Sequence, residues 1–152
     1  MNNNDILRRL RYTFDLSDQQ VIDIFKQVGH TVTRPQVVNW LLQEDQEEFK
    51  SLRDIELALF LNGFINLKRG KKEGPQPEAE ERLNNNLILR KLRIALNLKD
   101  TDMLEVMDRA NFPISKHELS AFFRKPGQGQ YKLCKDQILR KFLKGLQLKY
   151  RP

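Results

Sequence analysis

Asparagine and arginine side chains at helical spacing are the residues of this sequence best suited to bind an anion. They form two candidate ridges, Asn4, Arg8 and Arg11, and 82 residues further on Asn86, Arg90 and Arg93. Residues three and four apart share one side of a helix, and guanidinium groups bind phosphate or carboxylate bidentately. The alternative is an ion pair between Arg8 or Arg11 and Asp54, because an unpaired, partly buried arginine is costly.

The two ridges belong to a tandem duplication. Residues 2–70 align with residues 84–152 without a gap, and 18 of the 69 aligned pairs are identical. A copy of this size is too small to build a substantial core alone, so we expect the copies to pack together. The predicted organisation is copy one at 1–70, an exposed linker at 71–83 and copy two at 84–152.

No set of residues is typical of an active site. His30, His117 and Cys134 each align with a different residue type in the other copy, and no phosphate loop or zinc-ligand spacing is present. Neighbouring carboxylates such as Glu47 and Glu48 are typical of a solvated surface. We therefore expect a protein that is not an enzyme and has no metal, cofactor or small-molecule substrate.

Apolar residues repeat at helical spacing in four segments of each copy. In copy one they predict helices over about 4–15, 18–28, 33 onwards and 54–67, and the last recurs at 136–148. Candidate N-caps are Asn3 or Asn4, Ser17, Thr33 and Asp54, with Asp100, Ser115 and Asp136 in copy two. Tyr12 and Ile94 lie opposite the apolar stripe of the first helix, which predicts neighbours on both sides.

Glycine inside the fourth helix of both copies indicates a close helix crossing. Gly63 and Gly145 occupy aligned positions, where glycine costs about 1 kcal/mol relative to alanine. The fold prediction is all-α: two tandem four-helix repeats with approximate two-fold symmetry that share one core. The first and fourth helices should be the most buried.

Positive charge is concentrated in copy two. The net charge is +7, and since residues 1–76 are neutral, the whole excess lies in residues 77–152. This asymmetry favours an anionic partner, although a solvated basic face gives the same pattern.

The second and third helices resemble a helix-turn-helix in outline. The third helix would expose side chains that can reach base edges, namely Arg34, Gln36, Asn39 and Gln43, or Lys116, His117, Ser120 and Arg124 in copy two. Acidic residues 44–48 would repel phosphate from copy one. The candidate nucleic-acid-binding residues are Lys116, Arg124, Lys125, Arg140, Lys141 and Lys144.

The fourth helices differ on their outer side. Arg140, Lys141 and Gln147 stand in copy two where copy one has Ala58, Leu59 and Ile65. These three apolar residues are a candidate protein interface, because uncovered apolar patches mark partner surfaces. Either the second copy or another chain would cover them.

The sequence also bears on the compartment. No apolar run approaches the roughly 20 residues of a membrane span, and the chain begins with polar residues instead of a secretory signal. A single cysteine cannot support a disulfide framework. We expect a cytoplasmic protein that makes no membrane contact.

Several motifs carry a resemblance to a known family. They are the repeated Asn-Asn-x-Ile-Leu-Arg-x-Leu-Arg, the two Phe-Leu-x-Gly segments and Lys135-Asp136-Gln137 with the helix that follows. Over essentially its whole length the chain resembles the YehS-like family, bacterial proteins built from a duplicated domain of unknown function. The resemblance implies an all-helical cytoplasmic protein and supplies no activity or site residue. We expect a helical interaction or regulatory module that binds a protein partner or self-associates, with nucleic-acid binding through copy two as the alternative.

Overall fold

The computed structural model describes all 152 residues and contains eight α-helices and no strand. The helices are α1 Asn3–Thr13, α2 Asp18–Lys26, α3 Arg34–Leu41, α4 Asp54–Arg69, α5 Asn85–Ala95, α6 Asp100–Arg109, α7 Lys116–Phe122 and α8 Asp136–Tyr150. Four helices therefore come from each copy, which confirms the all-α prediction. None of them is long and apolar enough to cross a membrane.

The helices end where the backbone leaves the helical conformation, and apolar periodicity alone does not predict these positions. α1 ends at Thr13, before the expected Asp15, because Asp15 takes a left-handed φ of 51°. The N–H of Leu16 then donates to the Arg11 carbonyl over 2.9 Å, which closes the last turn. Asn97 repeats this stop in copy two with a φ of 53°.

Several N-caps differ from the prediction. Asn2 caps α1, one or two residues earlier than expected, and Asn84 caps α5. α4 and α8 begin at Asp54 and Asp136, so their N-cap residues are Arg53 and Lys135. α6 begins at Asp100, and its N-cap residue is Lys99. Asp54 does not cap because its carboxylate accepts hydrogen bonds from the Asn3 side chain and the Leu83 N–H. The capping boxes that begin at Ser17, Thr33 and Ser115 form as predicted.

The first helix of each copy packs on the fourth helix of the other copy. α1 lies against α8, and α5 lies against α4. One core of 31 buried residues runs through both copies, and the equivalent contacts give the molecule its approximate two-fold symmetry. The shared core therefore forms because the first helix of each copy packs both on its own copy and on the fourth helix of the other.

The two helix-interior glycines lie at close helix crossings, as predicted. A Cβ atom on Gly63 would stand 2.0 Å from the Ile24 carbonyl oxygen, where α4 crosses α2. A Cβ atom on Gly145 would stand 2.0 Å from the Val106 carbonyl oxygen, where α8 crosses α6. No other side chain fits at either position.

The linker is not helical, but it is less exposed than its composition predicts. Gln76, Glu80 and Leu83 are half-buried against the helices. The linker therefore packs against the helices that it connects.

Candidate functional site

Asn4 and Asn86 hold the loop that follows the third helix of each copy. The buried Asn4 amide donates to the Trp40 and Lys50 carbonyls over 2.9 and 2.8 Å, and its oxygen accepts from the Leu52 N–H over 2.9 Å. Asn86 makes the same three contacts in copy two. Both amide protons are engaged in each case, so these asparagines leave no donor for an anion.

The arginines of the two ridges are paired within their own copy. Arg11 bonds Asp18 at 3.2 Å, and Arg93 bonds the aligned Asp100 at 2.7 Å. Each pair fastens the first helix of a copy to the start of its second helix. The expected pairing of Arg8 or Arg11 with Asp54 is therefore wrong, because Asp54 lies beyond their reach and takes other partners.

The remaining ridge arginines bind main-chain carbonyls. Arg8 donates to the Leu42 carbonyl over 2.8 Å and pairs with Asp5. Arg90 donates to the Phe123 carbonyl over 3.0 Å. The two ridges thus connect helices and loops in the structure.

The apolar side of α4 is covered from within the molecule. Ala58 is completely buried, and Leu59 and Ile65 are half-buried against the core, because α5 of copy two packs on this helix. Of the two coverings expected for these residues, the second copy or another chain, the structure shows the second copy. The candidate protein interface is therefore largely internal to the molecule.

A groove with basic walls lies where α8 meets α1. Its smaller part has a volume of about 190 Å³ and is lined by Arg8, Arg9, Tyr12, Thr13, Leu143, Lys144 and Gln147. A larger part of about 390 Å³ continues past Tyr12 to Asp15 and Arg151. The residues that line the smaller part come from α1 and α8 alone, so one wall belongs to each copy. We call this feature the α1/α8 groove.

Two cations of the groove have no carboxylate partner, whereas Arg8, Arg11 and Arg151 are each in an ion pair. Arg9 is exposed and has no carboxylate within 4.0 Å, and Lys144 bonds only the Gln147 side-chain oxygen, at 2.9 Å. Arg140 is also exposed and unpaired, but it does not line the groove. Arg140 precedes Lys144 by four residues and therefore shares its side of α8. Lys141, half-buried, is also unpaired but lies off this ridge. The groove can hold an anionic group by charge-assisted hydrogen bonds.

An aromatic side chain closes one end of the groove. Tyr12 is 53% exposed, and the Arg151 guanidinium stacks 4.1 Å from the centre of its ring. Arg151 also donates to the Tyr12 carbonyl over 2.6 Å. The expected neighbours on two sides of the first helix are present, because α1 contacts α3 and α4 of its own copy and α8 of the other, although Tyr12 and the aligned Ile94 themselves remain exposed.

The structure separates the candidate nucleic-acid-binding residues into two surfaces. Lys116, Arg124 and Lys125 are exposed on α7 and the loop after it, as are His117 and Ser120. α7 packs on α6, and its end is held to α5 by Asn86 and Arg90. Lys144 instead lines the α1/α8 groove, and Arg140 lies one turn before it on α8. The basic residues of copy two therefore do not form one continuous patch.

Neither histidine nor Cys134 contributes to the groove. Burial, and to a lesser degree the charge of Asp136, raises the pKa of the Cys134 thiol to about 12. The thiol is consequently protonated at neutral pH and fills the place that Leu52 holds in copy one. His30 packs beside the Phe25 ring with 5.7 Å between ring centres.

Sequence reasoning missed Arg9, Tyr12 and Arg151. The available signal was the basic residue kept at position 9 and its equivalent, Lys91, together with Arg69 and Arg151 at the other end. Neither signal indicates a site until α1 is known to pack on α8.

The fold and the groove define a duplicated, all-helical protein. The family model described as "Protein of unknown function (DUF1456)" matches twice, over residues 3–70 and 85–151. "Uncharacterized protein YehS" of Escherichia coli (strain K12) is 42% identical over 147 residues, which are 96% of this chain and 94% of that protein. The chain therefore belongs to the DUF1456 family, in agreement with the YehS-like resemblance of its motifs. No solved structure matches it.

Proposed function

We propose that this protein is a non-catalytic helical interaction module that binds a protein partner through the α1/α8 groove. The observation that carries the proposal is the convergence of unpaired cations from both copies, Arg9 from α1 and Lys144 from α8, on one groove. Cations without intramolecular partners contribute little to folding, and electrostatic complementarity steers partners and fixes their register.

Two features of the groove favour a protein over a nucleic acid. The exposed Tyr12 with Arg151 stacked on it offers the residue types that dominate protein interface energetics. Carboxylates stand at both ends, Asp136 beside the chain's amino group and the highly exposed Asp15 beside Arg151. They limit the stretch of unpaired cations to the few residues between them, which suits one or two side-chain carboxylates better than a continuous phosphate backbone. The proposal places the protein in the cytoplasm, where a lone thiol stays reduced.

Photo-crosslinking in the protein's native cells tests the proposal. A photoreactive phenylalanine is placed at Tyr12 and, as a matched control, at Ile94, the equivalent exposed position on α5. We expect a discrete crosslinked polypeptide, resistant to nuclease, from position 12 only. Equal products from both positions, or a product that nuclease removes, would contradict the proposal.

Nucleic-acid binding through α7 is the second candidate. The observation that favours it is the exposure of Lys116, His117, Ser120 and Arg124, while the one acidic residue of α7, Glu118, is engaged in the capping box. Affinity for duplex DNA should then fall with a log–log salt slope of about −0.9 per phosphate neutralised. Changing Lys116 or Arg124 to Gln should alter sequence preference, if α7 reads bases. No binding to DNA or RNA even at low salt would eliminate this candidate.

A further inference from the structure

The α1/α8 groove has a symmetry mate between α5 and α4. Its walls carry the aligned positions of the other copy: Arg90, Lys91 and Ile94 for Arg8, Arg9 and Tyr12, and Asn62, Ile65 and Arg69 for Lys144, Gln147 and Arg151. The two grooves are therefore the same structural feature, formed twice where the first helix of one copy packs on the fourth helix of the other.

The linker runs over this second groove. Linker residues from Gly70 to Glu80 form one of its walls. The Gln76 oxygen accepts from the Asn66 side chain of α4 over 2.8 Å, and a Glu80 carboxylate oxygen lies 3.0 Å from the Lys91 ammonium of α5. The α4/α5 groove thus holds a non-helical peptide through one side-chain contact to each helix.

The carboxylate of Glu80 is the centre of this contact. The Lys91 side chain is 12% exposed here, and its ammonium also donates to the Asn62 oxygen over 2.6 Å. The segment around Glu80 is rich in glutamate and lies outside any helix. In the α1/α8 groove Arg9 stands in the place of Lys91 but has no carboxylate, and Lys144 in the place of Asn62 adds a second cation.

We infer that the α1/α8 groove binds an extended acidic peptide segment of the partner, docked as the linker docks in the symmetry-related groove. A carboxylate of the segment pairs with Arg9 as Glu80 pairs with Lys91, and a second carboxylate meets Lys144. The inference rests on the proposed function and specifies the kind of segment that the partner presents.

Charge complementarity supports this occupant. In the linker Glu73, Glu78, Glu80 and Glu81 outnumber Lys71, Lys72 and Arg82 by one, and of these glutamates only Glu80 forms an ion pair, with Lys91. The α1/α8 groove presents Arg9 and Lys144 without carboxylate partners. An acidic segment therefore meets two unpaired cations in the uncovered groove, one on each wall.

A fluorescent peptide with the sequence of residues 70–83 is the probe, and the full chain is the protein. We expect saturable binding by anisotropy at low salt that weakens as salt is added, because the contacts are exposed ion pairs. Arg9→Glu and Lys144→Glu should each weaken binding by roughly fivefold, since reversal replaces a modest attraction by repulsion. A peptide with all four glutamates changed to glutamine should not bind.

Lys125→Glu is the matched control, because it makes the same change of net charge at an exposed site away from the groove. It should leave peptide affinity unchanged. Equal unfolding midpoints for the three variants would show that the fold is intact.

Three outcomes would overturn the inference. The first is no saturable binding of the peptide at low salt. The second is a loss of binding in Lys125→Glu that matches the loss in Arg9→Glu. The third is that duplex DNA binds through Arg9 and Lys144 and the peptide does not bind.

Self-association is tested separately. If the wild-type chain dimerises and Arg9→Glu makes it monomeric, the occupant is a second copy, and the assignment to a separate partner is wrong. If the peptide fails while crosslinking from Tyr12 still captures a protein, only the acidic-segment inference is lost. Loss of that crosslink would instead remove the proposed function itself.

Discussion

Replacing Gly145 by alanine should destabilise the protein, although alanine is the better helix former. The added methyl group would lie 2.0 Å from the Val106 carbonyl oxygen and 2.8 Å from its carbon. Ordinary contacts begin at 3.4 Å, so α6 and α8 would have to separate by roughly 1.4 Å. The atom that must yield belongs to the backbone of α6 and cannot rotate away.

The magnitude follows from two opposing effects. Alanine gains about 1 kcal/mol over glycine in a helix interior. Overpacking a core typically costs about 1–3 kcal/mol and occasionally more, and a backbone contact belongs at the upper end of that range. The net loss should be about 2 kcal/mol or greater, which lowers the melting temperature by at least about 4 °C for a chain of this size.

Urea unfolding measures the effect. Gly145→Ala should lower the midpoint without changing the slope, and Gly63→Ala should do the same through Ile24. Gly129→Ala is the control, because a Cβ there meets no atom within 4 Å. A Gly145→Ala protein as stable as the wild type, or more stable, would refute the close crossing of α6 and α8.

Four further predictions concern stability and reactivity. Asn86→Ala should cost on the order of 3 kcal/mol in urea unfolding, because it leaves two carbonyls and the N–H of Cys134 without partners. The Cys134 thiol should react with a disulfide reagent at neutral pH only after unfolding, since its pKa is about 12; rapid reaction of the native protein would contradict its burial. The pKa of Asp136 is lowered, first by the hydrogen bond from Asn85 and then by the chain's amino group. Its contribution to stability is therefore present above the unfolded pKa of 3.8 and is lost as the pH falls through the lower folded pKa. Asp136→Asn should make the free energy of unfolding in urea less dependent on pH over that acid range. Residues 84–152 alone should be much less stable than the full chain, and cooperative unfolding at the full-chain midpoint would contradict the shared core.

Local features of the fold were predictable from the sequence because their causes are local. The alignment of the copies identified the glycines at positions 63 and 145, and a glycine kept inside a helix has few explanations other than close approach. The Thr33 and Ser115 capping boxes were equally predictable, because the two residues that form each box lie within one helical turn. The Asp54 cap failed because the competing hydrogen-bond partners, Asn3 and Leu83, are distant in sequence.

The groove could not be predicted because it depends on which copy supplies each neighbour. Periodicity shows that α1 and α8 have apolar sides, but it does not show that they face one another. Without that pairing Arg9 is one exposed cation among many, and Ala58 looks like surface when it is core. The ion pair of Arg11 with Asp18 was within reach of sequence reasoning, because both residues recur in copy two.

The central claim is that the α1/α8 groove is the binding surface, and NMR mapping tests it most directly. The isotope-labelled full chain is titrated with the peptide of residues 70–83 while backbone amide shifts are followed. The account predicts the largest changes at Arg9, Tyr12 and Lys144, on both walls of the groove, and little change on α7. Changes centred on Lys116 to Arg124, or no changes at all, would contradict it.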